Sequence, residues 1–216
     1  GRRIVTLIGV ALCGLAAGCT AQNRLDRQLA RANAFYERGR FDEAVIEYMN
    51  VLRQDPSNTL VVARIGLAHF QTGNLRQAGP FLAYAAQQVN VDPEVKIRLG
   101  TIYLLGRDAD RARDLARAVL LENPLNEEAV VLLADAALSA DDIAEALAAI
   151  DVVSAPVKPM NLQLARGNLL IRRGDRGGAE AAFLAARTAD SASEMPLLAL
   201  SNLYRLEGNT EKADDM

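Results

Sequence analysis

Apolar residues recur every three or four positions from Leu25 onwards, and glycine or proline interrupts this rhythm at short intervals. The stretch ANAFYERGRFDEAVIEYMNVLRQDP, residues 32–56, shows the unit: a helical period, a glycine turn and a second helical period. The same order returns in RIGLAHFQTGNLRQAGPFLAYAAQQ, residues 64–88, and in LARGNLLIRRGDRGGAEAAFLAARTAD, residues 164–190. The pattern predicts a chain of paired helices without strands.

An alanine in the second helix of each unit marks the period of the repeat. These alanines are Ala44, Ala78, Ala112, Ala146, Ala179 and Ala213, at intervals of 34, 34, 34, 33 and 34 residues. So regular a spacing predicts an array in which each helix pair packs on its neighbours. The predicted repeats are 25–58, 59–92, 93–126, 127–159, 160–193 and 194–216. The last repeat is short and no Met precedes Gly1, so we expect a fragment of a longer chain, truncated at both ends.

These units resemble the tetratricopeptide repeat, a helix-turn-helix of about 34 residues. The family places a small residue at position 8 of each repeat, which here is Ala32, Gly66, Gly100, Ala134, Gly167 and Ser201. Its bulky residue at position 24 is here Tyr48, Leu82, Ala116, Ile150 and Phe183. We expect the small residues to let paired helices approach, and the bulky ones to fill the gap to the next repeat. The resemblance implies an all-α fold, a right-handed superhelix whose first helices line a concave surface.

The first nineteen residues, GRRIVTLIGVALCGLAAGC, follow a different pattern. Two arginines open the stretch, an apolar run covers residues 4–15, and small residues follow up to Gly18. This order predicts a signal peptide over residues 1–18. A membrane-spanning helix needs about 20 apolar residues, and the apolar run is shorter than that.

Cys19 directly follows the predicted cleavage site, and this arrangement resembles the lipobox of bacterial lipoproteins. The resemblance implies that Cys19 carries lipid and becomes the new N-terminus, with residues 19–24 as a short tether. Thr20 follows where an Asp would favour retention at the inner membrane, which implies anchoring in the outer membrane, facing the periplasm.

The composition argues against several classes of function. The net charge is −3, and −5 without the two arginines of the predicted signal peptide, which argues against a nucleic-acid partner. Both cysteines, Cys13 and Cys19, precede the repeats, so the repeats hold no disulfide or cysteine metal site. The only histidine, His69, occupies the large position 11, where we expect it to pack. We therefore expect no catalytic residue, metal, cofactor or small-molecule substrate, and a protein that is not an enzyme.

In tetratricopeptide-repeat proteins, positions 2, 5, 9, 12 and 13 face the concave surface. Position 5 is apolar here in every repeat, and position 9 is Asn in three of them. The resemblance implies a groove for a protein or peptide partner, with polar contacts from Asn33, Asn168 and Asn202 and aromatic anchors from Tyr36 and Phe70. In the alternative interpretation, the position 5 residues pack between neighbouring helices and the asparagines only face water. The type that grips a C-terminal carboxylate has Lys at position 5 and is excluded.

A repeat array behind a lipidated cysteine resembles several bacterial envelope proteins. The stretch YERGRFDEAVIEYMNVLRQDPSN, residues 36–58, looks most like the lipoproteins of exopolysaccharide and exosortase systems. This resemblance implies a membrane-anchored scaffold for exopolysaccharide biosynthesis or export. The alternatives are a pilus assembly lipoprotein (Flp/Tad or type IV pilotin), an adaptor for peptidoglycan hydrolases, and a purely structural spacer.

Overall fold

The computed structural model describes residues 23–153 and 159–215, and these residues form twelve α-helices and no β-strand. The all-α fold predicted from the sequence is confirmed. The predicted signal peptide and Cys19 lie outside the described residues. The helices are α1 (23–37), α2 (Phe41–Gln54), α3 (Thr59–Gln71), α4 (Leu75–Ala85), α5 (Pro93–Leu105), α6 (Ala109–Glu122), α7 (Glu127–Asp135), α8 (Ala140–Val153), α9 (Met160–Arg173), α10 (Arg176–Ala189), α11 (Met195–Leu206) and α12 (Thr210–Asp214).

Polar side chains start several of these helices. The Asn58 side chain accepts a hydrogen bond from the backbone N–H of Val61, over 3.1 Å, at the start of α3. Asp108 and Asp175 do the same for α6 and α10. Such caps satisfy backbone donors that have no partner within the first turn of a helix. The residues that set these helix starts therefore lie within a few positions of them in the sequence.

A residue in the left-handed conformation closes most first helices of a pair. Gly39 and Gly73 follow α1 and α3 with φ of 70° and 75°. The third repeat has Arg107 at the equivalent place, with φ of 62°. The turn is otherwise the same, because the backbone N–H of Asp108 donates to the carbonyl of Tyr103 over 2.8 Å, as Arg40 donates to Phe35 over 2.9 Å.

The fourth repeat ends its first helix in another way. Helix α7 stops at Asp135, and two arginines from other helices bind carbonyl groups in its last turn and just after it. Arg172 donates to the carbonyl oxygens of Ala134 and Ala137 over 2.9 and 2.6 Å. Arg113 donates to the carbonyl of Ala136 over 2.9 Å. Cations are favourable at this end of a helix, where the carbonyl groups carry partial negative charge.

Glycine at position 8 lets the paired helices touch. A Cβ atom on Gly66 would lie 2.8 Å from Leu82 Cδ2, and one on Gly167 would lie 2.2 Å from Phe183 Cε1. Two bulky position 24 residues, Leu82 and Phe183, thus lie against the glycine of their own repeat. Tyr48, at the same position of the first repeat, belongs to a core that also includes residues of the next repeat, as the sequence predicts.

The chain divides into two compact units, Gly1–Arg98 and Leu99–Met216. The core of the first unit consists of Ala32, Ala44, Tyr48, Val51, Val61 and Ile65. The core of the second is larger and includes Leu133, Ile150, Leu162, Leu169, Phe183, Leu200 and Leu203. Burial of these apolar side chains, at roughly 25 cal/mol per Å², is the main stabilising term in each unit.

Candidate functional site

Two aromatic side chains of the first unit are each covered by an arginine from the next repeat. The guanidinium carbon of Arg64 lies 4.9 Å from the ring centroid of Tyr36, and that of Arg98 lies 5.7 Å from the ring centroid of Phe70. Both pairs join residues 28 apart, and the second pair follows the first by one 34-residue repeat. We call these four residues the aromatic–arginine ladder. Stacking of this kind is attractive because the ring face is electron-rich.

Tyr36 is half-buried, and two aromatic rings and two charged side chains surround it. Its ring meets those of Phe41 and Tyr48 edge-on, with centroids 5.3 and 6.4 Å away. Burial raises the pKa of Tyr36, Glu94 adds to the rise, and Arg64 opposes it. Its phenol therefore stays protonated at neutral pH and can donate a hydrogen bond. A rigid, amphipathic ring of this kind is the type of side chain that dominates many protein interfaces.

Asn33 is tied to the core of its own repeat. Its side-chain oxygen accepts a hydrogen bond of 2.7 Å from the hydroxyl of Tyr48, which is fully buried. Burial raises the pKa of Tyr48 to about 12, so this hydroxyl remains a donor. The amide of Asn33 thus positions Tyr48, a role that the sequence analysis did not assign to it.

The remaining predicted contacts lie in the second unit. Asn168 in α9 and Asn202 in α11 are both exposed, and Arg172 Nε donates to the backbone carbonyl of Asn168 over 3.4 Å. The structure thus places Asn33, Tyr36 and Phe70 in one compact unit and these two asparagines in the other.

The apolar floor expected at position 5 is largely used for packing. Ala63, Ile97 and Leu164 are all less than 9% exposed, whereas Leu198 in α11 is 61% exposed. Burial of the first three is what the packing alternative predicts for position 5. The exposed candidate surface of the first unit therefore depends on the ladder rather than on an apolar strip.

Sequence reasoning missed Arg64 and Arg98. Both stand at position 6, outside the positions that the family resemblance assigns to the concave surface. The sequence does contain a pattern that indicates the two pairs. The two arginines are one repeat apart, and each follows an aromatic residue by 28 positions. Their long side chains reach the aromatic ring of the preceding repeat. An assignment of repeat positions to helix faces does not reveal this contact.

His69 packs beside Phe81, with ring centroids 6.0 Å apart, as its position in the repeat predicts. Its Nδ1 is buried and has no hydrogen-bond partner among the described residues. Over the same residues, no three His, Cys, Asp or Glu side chains are grouped so that they could hold a metal ion. None of the helices in the described ranges is long and apolar enough to cross a membrane.

Sequence models of the tetratricopeptide repeat match two segments of the chain, residues 32–73 and residues 97–157. No curated protein sequence matches the chain. Together with the helix-turn-helix fold, the two matches show that these two segments carry tetratricopeptide repeats.

Several solved structures share the fold at low sequence identity. A tetratricopeptide-repeat protein from Parabacteroides merdae matches with a TM-score of 0.76 and 16% identity, over 88% of this chain and 76% of that one. PilW, described as a widely conserved type IV pilus biogenesis factor, matches with a TM-score of 0.71 and 15% identity, over 88% and 89%. PilF of Pseudomonas aeruginosa matches with a TM-score of 0.65 and 14% identity, over 88% and 87%.

Proposed function

We propose that this protein is a scaffold that binds protein partners through the aromatic–arginine ladder of its first unit. The observation that carries the proposal is the repeated stacking of an arginine on a partly exposed aromatic ring. Tyrosine and arginine are enriched among the residues that contribute most to binding energy. Tetratricopeptide arrays present such residues on extended surfaces that fit a peptide or a helix.

The stacked arginine also suggests the chemistry of the partner. A guanidinium presents its N–H donors in a fixed planar fork. Such groups bind carboxylates and backbone carbonyls in a defined geometry. Tyr36 adds a neutral hydroxyl donor beside Arg64. The ladder thus suits a partner segment that presents carbonyl or carboxylate oxygens next to apolar side chains.

An interaction assay on the full chain tests this function. We expect Arg64→Gln, which removes the stacked cation but keeps a polar side chain, to lower recovery of cross-linked envelope partners about tenfold. Arg76→Gln is the matched control, since Arg76 lies exposed in α4 of the same unit, away from the ladder. Equal recovery of partners with both variants, at equal melting temperature, would show that the ladder is not the binding surface.

The two exposed asparagines are tested in the same assay. We expect Asn168→Ala combined with Asn202→Ala to reduce recovery without a change in melting temperature, because both side chains are exposed. A fall in melting temperature would show that the two asparagines contribute to packing instead. Unchanged recovery would restrict the binding surface to the first unit.

We infer further that the scaffold is anchored in the bacterial envelope and serves exopolysaccharide biosynthesis or export. The support is the lipobox-like sequence that ends at Cys19 and the stretch over residues 36–58 that looks like the lipoproteins of those systems. A second candidate is pilus assembly, which is favoured by the shared fold with PilW and PilF over most of each chain.

Deletion of the gene separates the two candidates. Loss of secreted polysaccharide with normal surface pili supports the first, and loss of surface pili with normal polysaccharide supports the second. If both products are made normally, neither system is the one that this protein serves.

A further inference from the structure

The first helix, α1, exposes a side that the first helix of every later repeat buries. Position 3 of the repeat is buried in each of the later repeats, where the residues are Val61, Val95, Ala129, Leu162 and Pro196. Val61 shows the reason, because it belongs to a core that consists mostly of residues of the preceding repeat. In the first repeat the same position is Arg27, which is exposed. The outer side of α1 is thus polar where the equivalent sides of later helices are apolar.

Arginine supplies most of the charge on this outer side. Arg24, Arg27 and Arg31 follow one another at intervals of three and four residues, which places them on one side of α1. All three are exposed. Helix α2 adds Arg53, which is also exposed and whose Nη2 donates a hydrogen bond to the side-chain oxygen of Asn50. We call these four arginines the basic face.

Contacts between α1 and α2 hold the two helices together along the basic face. Arg31 Nη2 lies 2.5 Å from Glu47 Oε1, and Gln54 Nε2 donates to Gln28 Oε1 over 2.5 Å. Glu47, Asn50 and Gln54 are spaced by three and four residues and therefore lie on the same side of α2. The partner of Arg53 is one of these three, so this arginine extends the row of cations from α1 onto α2.

The basic face keeps a net positive charge. Glu47 balances one of its four arginines. Asp26 lies about 100° or more around α1 from each of the three arginines of that helix, at the concave position 2. Asp55, at the end of α2, accepts hydrogen bonds from the side chains of Ser57 and Asn58 over 2.9 and 3.0 Å. Three cations thus remain in excess on the outer side of the first repeat.

The sign of this charge differs from that of the whole chain. The chain has a net charge of −5 without the predicted signal peptide, and the last described helices expose the acidic Glu207, Glu211 and Asp214. A terminal repeat needs a polar outer face to remain soluble, but charges of either sign meet that need. The concentration of arginines on the first repeat therefore indicates an anionic partner.

The basic face is also close in sequence to the predicted lipid anchor. Arg24 follows Cys19 by five residues. The four residue steps from Cys19 to Asn23, where the described part of α1 begins, span at most about 14 Å in any conformation. A lipid on Cys19 would keep the start of α1 within this distance of the headgroups. Because the Debye length is about 8 Å at physiological ionic strength, charges next to the anchor interact most strongly with the membrane surface.

We propose that the basic face binds the anionic phospholipid headgroups of the membrane that holds the lipid anchor. Guanidinium groups form charge-assisted hydrogen bonds with phosphate oxygens. Each arginine near an anionic membrane surface strengthens binding about fivefold, and the short tether makes this contact intramolecular. The inference rests on the lipid anchor in the proposed function. The anchor keeps the chain at the membrane, and the basic face fixes which side of the first repeat meets the lipid.

The test uses the protein purified from cell envelopes and reconstituted through its anchor into vesicles. One set of vesicles is phosphatidylcholine alone, and the other contains about 30% phosphatidylglycerol. A fluorophore is attached to Ala30→Cys, an exposed site on α1 in repeats that otherwise have no cysteine. A nitroxide on the lipid headgroups quenches this fluorophore. We expect stronger quenching in the vesicles with phosphatidylglycerol, and loss of the difference at high salt.

Two pairs of substitutions assign the effect to the basic face. Arg24→Gln combined with Arg27→Gln should lower quenching in the phosphatidylglycerol vesicles to nearly its level in phosphatidylcholine. The melting temperature should not change, because both side chains are exposed. Arg176→Gln combined with Arg187→Gln is the matched control, since it removes the same charge from exposed positions of α10 in the second unit. This control should keep the full quenching.

The outcomes separate the basic face from the anchor. Equal quenching of the lipidated protein in both vesicles overturns the proposal and leaves the anchor in place. An equal loss with the control pair also overturns it, because net charge alone would then explain the effect. Capture of an acidic protein through Arg24 and Arg27, without any effect of phosphatidylglycerol, would assign the face to a protein partner instead. Mass spectrometry of the same sample that finds no lipid on Cys19 refutes the anchor, and the proposal with it.

Discussion

Arg107 holds a backbone conformation that other repeats give to glycine. With φ of 62°, its Cβ lies close to the following carbonyl, and the equivalent Gly39 and Gly73 avoid this contact. Side chains in this region cost of order 1 kcal/mol or more unless they are Gly, Asn or Asp. The turn after α5 is therefore a local weak point that the backbone hydrogen bonds of Asp108 hold in place.

Replacement of this arginine by glycine should stabilise the protein. We expect Arg107→Gly to raise the free energy of unfolding by about 0.5–1 kcal/mol, because the strain is relieved at some entropic cost in the unfolded chain. Thermal and urea unfolding measure the effect. The opposite change, Gly73→Ala, should lower stability by about 1 kcal/mol, although a Cβ atom at that site would meet nothing within 4 Å. A loss of stability in Arg107→Gly would contradict the argument.

His69 makes the stability of the protein depend on pH, and its contribution falls as the pH falls. Burial lowers the pKa of His69 below 6.5, with Asp42 opposing the shift. The unfolded state therefore binds more protons than the folded state in the range just below pH 6.5. The contribution of neutral His69 is fully present above pH 6.5 and is lost as the pH falls through the pKa of the folded state.

A phenylalanine at this position should remove that dependence. We expect His69→Phe to lose less stability than the wild type between pH 6.5 and the lower pKa of folded His69. Urea unfolding of both proteins over this range measures the difference, and subtraction cancels the titration of the shared carboxylates. Parallel stability curves for the two proteins would show that the histidine is not coupled to folding.

At the scale of elements, the end of α7 differs from the ends of the other first helices in the described repeats, which close at a residue with positive φ. It lacks the closing glycine, and two arginines from α6 and α9 bind its carbonyl groups instead. These bonds connect three helices of the second unit. The short α7 thus depends for its end on side chains that are distant in sequence.

Loss of one of these arginines should destabilise the second unit. We expect Arg172→Met, which keeps an apolar stem, to lower the free energy of unfolding by about 1.5–3 kcal/mol, because two carbonyl groups lose charged donors. The adjacent Arg173→Met is the control, since Arg173 is 55% exposed and pairs with Asp175 on the surface. Equal melting temperatures for the two variants would mean that the Arg172 bonds do not stabilise α7.

The helices and their period could be predicted from the sequence because they are encoded locally. The spaced alanines and the caps at Asn58 and Asp108 act within a few residues of their position. Contacts between repeats could not be predicted in the same way. The stacking of Arg64 on Tyr36 and the reach of Arg172 to α7 depend on how long side chains extend between helices.

At the scale of the whole molecule, each core forms between helices that are close in sequence, such as α3 with α4 and α9 with α10. Arrays of this type derive their stability from each repeat and its nearest neighbours. Such local contacts also favour rapid folding. The stabilities of variants are therefore best compared within one compact unit at a time.

The proposed lipid anchor can be tested on the full-length protein in cells. We expect Cys19→Ser to remain an unprocessed precursor or to appear in the soluble fraction, because only a thiol at this place can carry the acyl chains. Fractionation and mass spectrometry of the N-terminus measure the result. Cys13→Ser is the matched control and should be processed normally, since no small-residue site precedes Cys13. Normal processing and outer-membrane recovery of Cys19→Ser would refute the lipoprotein prediction.

The aromatic–arginine ladder has a consequence for how such a gene can change in length. Each stack joins an aromatic residue to an arginine 28 positions later, while the repeat unit has 34 residues. Excision of residues 59–92 as one block would leave Tyr36 again 28 positions before the arginine that is now Arg98. Recombination between the copies at residues 25–58 and 59–92 can therefore add or remove one whole repeat and still leave each aromatic residue of the ladder 28 positions before an arginine.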